Sequence, residues 1–109
     1  MASQMKQRFR GFMPVVVDLE TGGFNNATDA LLEIGAVLVD FNEAGMLEII
    51  DSQRCHIEPF AGSNIEPASL EINKIDPNHP LRPALSERAA LQRVFRDIRP
   101  QMKVVDGKR

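Results

Sequence analysis

Tryptophan and tyrosine are absent from this 109-residue chain, and cysteine occurs once. A single thiol, Cys55, rules out an internal disulfide, and neither of the two histidines stands in a Cys/His cluster of zinc spacing. Cys55 reads as a small buried apolar side chain. No apolar run reaches membrane length, and the opening Met-Ala-Ser-Gln-Met-Lys-Gln-Arg lacks the apolar centre of a signal peptide. A reducing cytoplasm and no membrane partner are therefore expected. An excess of one charge is missing too: the net charge is −2 and the pI near 5.6, so any attraction to a polyanion must come from local patches. With 43% apolar and 26% charged residues the composition is that of a folded unit. Residues 1–109 make one domain at most, and 1–8 read as a flexible polar arm.

The informative stretch is Val15-Val16-Val17-Asp18-Leu19-Glu20-Thr21-Gly22-Gly23-Phe24. Three β-branched residues predict a strand interior, covering about Met13 to Leu19. Alternate side chains on a strand share a face, so Asp18 and Glu20 project together with Leu19 opposed. Their Cα atoms would lie roughly 6.6 to 6.8 Å apart, within reach of one divalent cation. A bare Asp-x-Glu is a weak signal. Its setting strengthens it: hard oxygen donors at a strand end, beside two glycines, point to Mg²⁺ or Mn²⁺ and a phosphate substrate. Gly22 and Gly23 are read as permitting positive φ and close approach of another molecule. Phe24, just past that turn, offers a flat face to a nucleobase.

Ala30 to Phe41 fills both strand phases with apolar residues, predicting a strand covered on both faces, with Glu33 the exception. Asn42-Glu43-Ala44-Gly45 is a turn that returns the strand as a hairpin. About Ser52 to Pro59 alternates, with Cys55 and Ile57 in one phase and Arg54, His56 and Glu58 in the other. That predicts a half-exposed edge strand with a solvated His56. Pro67 in a first-turn position predicts a short helix over 66–73, and residues 76–83 form a proline-punctuated loop with His79 at the surface. Ser86 is a suitable N-cap for a helix whose stripe is Leu91, Val94, Phe95, Ile98 and Met102. The opposite face carries Arg88, Arg93, Arg96 and Arg99. A further strand is expected after this helix, and the ending at Arg109 reads as a truncation.

Beyond the acidic motif, the segments Arg8-Phe9-Arg10-Gly11-Phe12, Thr28-Asp29-Ala30-Leu31-Leu32-Glu33-Ile34, Ile57-Glu58-Pro59-Phe60 and Asn73-Lys74-Ile75-Asp76-Pro77 occur in an order and spacing that resembles the ribonuclease T family. These are 3′-to-5′ exoribonucleases of the DEDD superfamily. The resemblance spans nearly all of this chain and the N-terminal half of the family's proteins. It implies a ribonuclease H-like α/β fold in which three antiparallel strands lead, followed by helices and two strands parallel to the first. It also implies trimming of RNA 3′ ends, transfer RNA included, by a homodimer that uses two Mg²⁺ ions. By motif match, Asp18 would bridge both ions, Glu20 would hold the one carrying the attacking water, and Phe24 would stack on terminal bases. Arg8 and Arg10 match a basic segment that guides RNA. Two positions depart: Ile72 stands where the family has a second stacking phenylalanine, and Ala68 where it has a glutamate. The family's remaining acidic ligands and its catalytic histidine fall beyond Arg109, so the chain alone is expected to be inactive. The first strand is expected to present an open apolar edge, with poor solubility as the result. A DEDD deoxyribonuclease and a non-catalytic interaction module are the competing readings.

Overall fold

A computed structural model describes residues 14–102. Strands β1 (Val15–Thr21), β2 (Leu31–Phe41) and β3 (Leu47–Ile57) form an antiparallel meander. A short helix, α1 (Pro67–Asn73), follows, then β4 (Ala84–Leu85), helix α2 (Glu87–Ile98) and a 3-10 turn over Arg99–Met102. The strand order is β1-β2-β3-β4, and β4 runs parallel to β3.

The hairpin turn forms where Asn42 Oδ1 accepts the backbone N–H groups of Ala44 and Met46 at 2.9 and 3.0 Å. Gly45 takes φ +80° there, a conformation that favours glycine. Pairing continues from this turn as far as Glu33 opposite His56. Strand β3 is thus longer than its alternation implied, because Leu47, Glu48 and Ile49 are recruited by the ladder although exposed, with Ile50 at a register shift. Strand β1 ends two residues later than predicted, since Glu20 and Thr21 still pair across to β2.

One layer of helix covers one face of this sheet. Ile34, Ala36 and Leu38 of β2, with Cys55 and Ile57 of β3, pack against Ala90, Val94 and Ile98 of α2. The reading of β2 as buried on both faces is corrected: the other phase, Gly35, Val37 and Val39, is half-buried among the described residues. The α2 stripe shifts as well. Ala90 enters the core while Phe95 remains 38% exposed, because a small residue lets the helix close on the sheet. Ser86 caps α2 by accepting from Ala89 N at 3.2 Å, as its sequence position predicts.

The edge assignment for β3 holds up to Cys55 and is overturned at His56 and Ile57, where β4 adds a parallel partner. A two-residue strand in a proline-flanked stretch has no periodicity to reveal it. Strand β1 is the other edge, with Val16 56% and Val17 43% exposed. No helix among the described residues is long and apolar enough to cross a membrane.

Candidate metal and nucleic-acid site

Residues paired across a ladder share a face, so register alone assembles the site. Val17 and Leu19 lie opposite Ala36 and Ile34, the core-facing phase. Asp18 and Glu20 take the other phase together, opposite Gly35 and Glu33. Across β2, Gly35 faces Arg54 and Glu33 faces His56. Two rows therefore cross the sheet surface away from α2: Asp18, Gly35, Arg54, and beside it Glu20, Glu33, His56.

The first row and its neighbours enclose a hollow of about 330 Å³ between Asp18, Glu20, Glu33, Gly35, Arg54 and Asn73. Nothing lies within 4 Å of where a Gly35 side chain would begin, so the floor is open backbone. Among the described residues, the side chains of Asp18 and Glu20 have no hydrogen-bond or ion-pair partner. Glu33 does: only 9% exposed, it accepts from Arg54 Nε. That hydrogen bond, reinforced by the carboxylate charge, raises the Arg54 pKa further above its ordinary value. The oxygen-only donors suit a hard cation, and Mg²⁺ is commonly held by one or two carboxylates plus phosphate. The described residues contain no group of three or more His, Cys, Asp or Glu able to hold a metal, so the pair fits part of a coordination shell.

The glycines play a different part from the one expected. Neither Gly22 nor Gly23 has positive φ. Their missing side chains admit the chain's own segments. A Cβ at Gly22 would meet Ile65 Cα at 3.0 Å and Asn64 O at 3.1 Å, both backbone. One at Gly23 would run into the Asp29 carboxylate, with Cγ at 2.9 Å. Gly22 N donates to Ala30 O at 2.9 Å, and Glu66 N donates to Gly22 O at 2.6 Å, threading the turn between two loops.

The sequence reading missed Asp29 as the centre of this turn. Its carboxylate accepts from Asn25 N, Thr28 Oγ1 and Asn64 Nδ2, each at 3.0 Å. Asn25 with Asp29 four residues on, flanking Asn-Ala-Thr, was the available signal. The bond from Asn64, then that from the Asn25 backbone, lowers the Asp29 pKa below 3.8, the ordinary aspartate value. A depressed folded-state pKa gives stability that is complete above the unfolded value and disappears as pH falls through the folded one. Asp29→Asn should therefore melt earlier than wild type near neutrality, with the gap narrowing below pH 3.8. Thermal melts across pH 2 to 7 read this; a gap independent of pH would exclude the role.

Phe24 projects fully into solvent from this braced turn, at 104% of its reference exposure. It lines an apolar groove of about 680 Å³ with Leu19, Leu31 and Phe60. The acid pair lines the separate hollow, so the two features flank opposite faces of β1 and share no cavity among the described residues. Ile72, 81% exposed on α1, lines neither. Its neighbour Asn73 ties α1 to the end of β1 by donating to Thr21 O at 3.2 Å. Arg8 and Arg10 lie outside the described residues. His56 is not the solvated residue expected: it is half-buried, and Nδ1 is shielded without a described partner. Arg54 and Asn73 enter the site through register and helix placement, which a single strand's pattern does not encode.

Residues 15–109 match the family model described as RNase_T: Exonuclease, and the chain belongs to this exonuclease family. The four-stranded mixed α/β arrangement accords with a ribonuclease H-like exonuclease domain. Among its relatives is Ribonuclease T of Shewanella sp. (strain W3-18-1), 50% identical over 105 residues, which are 96% of this chain and 47% of that protein. Ribonuclease T of Shewanella oneidensis (strain ATCC 700550 / JCM 31522 / CIP 106686 / LMG 19005 / NCIMB 14063 / MR-1) is 48% identical over 105 residues, with the same coverage of 96% and 47%. The chain thus spans about half the length of the relatives it matches.

Proposed function

We propose that this chain supplies two metal ligands and a base-stacking surface to a 3′-to-5′ exoribonuclease that trims RNA 3′ ends, including those of transfer RNA. The observation that carries this reading is the Asp18–Glu20 pair: two adjacent carboxylates on one sheet face, without described partners, opening on a hollow. Like charges left side by side without an ion-pair partner destabilise a fold, so their use lies with something that binds there. Asp18 and Glu20 would hold divalent cations, Mg²⁺ by donor chemistry, with Mn²⁺ able to substitute. When bound, such ions stabilise negative charge on a phosphoryl group undergoing in-line displacement. The carboxylates fix where that charge is neutralised. Phe24 stacks on a base of the 3′ end, and Ile72 provides apolar contact without a π face. Arg8 and Arg10 would guide the RNA strand, in a cytoplasmic homodimer formed by the complete enzyme.

Binding of a fluorescein-labelled single-stranded RNA, followed by anisotropy with Mn²⁺ present, tests this. Phe24→Ala should weaken binding by the equivalent of about 1–3 kcal/mol, the usual contribution of one stacked base, with no loss of stability from so exposed a ring. Ile72→Phe should tighten it. The same oligonucleotide as DNA should bind less well. Equal affinities for wild type and Phe24→Ala would remove the stacking role, and no response to Mn²⁺ would remove the nuclease reading.

A further inference from the structure

We infer that Arg54 is a phosphate-binding residue of this site, aimed into the acidic hollow by Glu33. The inference rests on the nuclease reading and assigns the substrate's phosphate to a particular side of the site. The register places Arg54 across the open Gly35 from Asp18, so roughly 10 Å separates their Cα atoms at the usual strand spacing. A guanidinium on one side and carboxylates on the other leave room between them for a phosphate and its cations. Gly35 keeps that room clear, since no side chain rises from the floor.

The use of Arg54's donors points the same way. Nε is committed to Glu33, while the two terminal nitrogens have no described partner and the side chain is 73% exposed. A carboxylate that grips only Nε fixes the plane of the guanidinium and leaves its outer edge presented. That edge matches the paired oxygens of a phosphate. Were the ion pair purely structural, a lysine would serve as well as an arginine at the rim of this hollow. Charge sets the order of events. Asp18, Glu20 and Glu33 outnumber Arg54 around the hollow, so its bare field repels a polyanion. A divalent cation held by Asp18 and Glu20 would cancel that excess, and Arg54 would then meet phosphate without opposition. Its contribution to RNA binding should therefore depend on metal.

The test is a titration of a fluorescein-labelled oligoadenylate RNA against the 109-residue chain, with and without Mn²⁺, at several salt concentrations. With Mn²⁺, Arg54→Ala should weaken binding about tenfold and flatten the salt dependence by about 0.7 in log–log slope, the amount for one phosphate contact on a single strand. Arg54→Lys should recover the slope while recovering affinity only in part, because it keeps the charge and loses the fork. Glu33→Gln should fall between wild type and Arg54→Ala. Without Mn²⁺, wild type and Arg54→Ala should be alike. A slope and affinity unchanged by Arg54→Ala, where wild type binds in a Mn²⁺-dependent way, would overturn the role of Arg54 and leave the nuclease reading intact. A wild-type chain that does not bind the RNA in a Mn²⁺-dependent way would overturn both.

Discussion

Asp18→Ala should reduce Mn²⁺ affinity by on the order of 100-fold or more, and the folded chain should be no less stable for it. Losses of 10–100-fold accompany removal of groups that merely orient a ligand, so removal of a ligand itself sets a higher floor. The stability half of the expectation follows from geometry. Glu20 stands beside Asp18 on one face and opposite Glu33 on the next strand. Asp18 gives no hydrogen bond or ion pair back to the described fold, so its removal relieves repulsion and breaks no described contact. Glu20→Ala should behave alike, whereas Leu19→Ala, in the opposite phase, should leave metal binding intact. Calorimetric titration with Mn²⁺, set beside urea unfolding of each variant, separates the outcomes. Undiminished Mn²⁺ affinity in Asp18→Ala would remove the metal site. A lower stability with the metal site intact would mark the carboxylate as structural.

Arg82→Ala should cost the fold about 2–4 kcal/mol. The β2–β3 ladder stops at Glu33 opposite His56, and the next residues inward are Leu32 and Ile57, both 0% exposed. Their carbonyls are not left bare. Arg82 Nη2 donates to Leu32 O and, at 2.8 Å, to Ile57 O, so one guanidinium closes the sheet where its own hydrogen bonding ends. A buried carbonyl deprived of its donor costs about 1–3 kcal/mol, and water has little access to these two. In a domain of this size such a loss lowers the melting temperature by roughly 10–25 °C. The effect should appear in urea unfolding as a lower midpoint with an unchanged slope. A shift below about 0.5 kcal/mol, typical of surface substitutions, would show that the carbonyls find other partners.

The acid pair was legible because its evidence is local. Alternation places Asp18 and Glu20 together whatever the rest of the chain does, and the ladder to Gly35 and Glu33 preserves that phase. Helix α2 was legible for the same reason, through the Ser86 cap and the Val94–Ile98 spacing. Arg54 was visible as a residue of the polar phase of its strand. Its role was not, because that requires knowing that Gly35 separates it from Asp18 two strands away. Arg82 sat in a proline-rich loop with nothing periodic to mark it, and its partners lie 50 and 25 residues distant along the chain. The glycines after the motif misled for a subtler reason. Freedom of φ and absence of a Cβ are both properties of glycine, and sequence cannot tell which one a site exploits.

The brace under Phe24 has a consequence for how substitutions travel. Asn64 grips Asp29 and Glu66 at once, and both lie against the spot where a Gly23 side chain would sit. The aromatic ring is thus a pointer mounted on a two-legged bracket, with one foot far along the chain. An exchange at Asn64 would swing that pointer as surely as an exchange beside it. If Phe24 stacks on RNA as proposed, a change in end preference should then follow from substitution at Asn64 as well as at Phe24 itself.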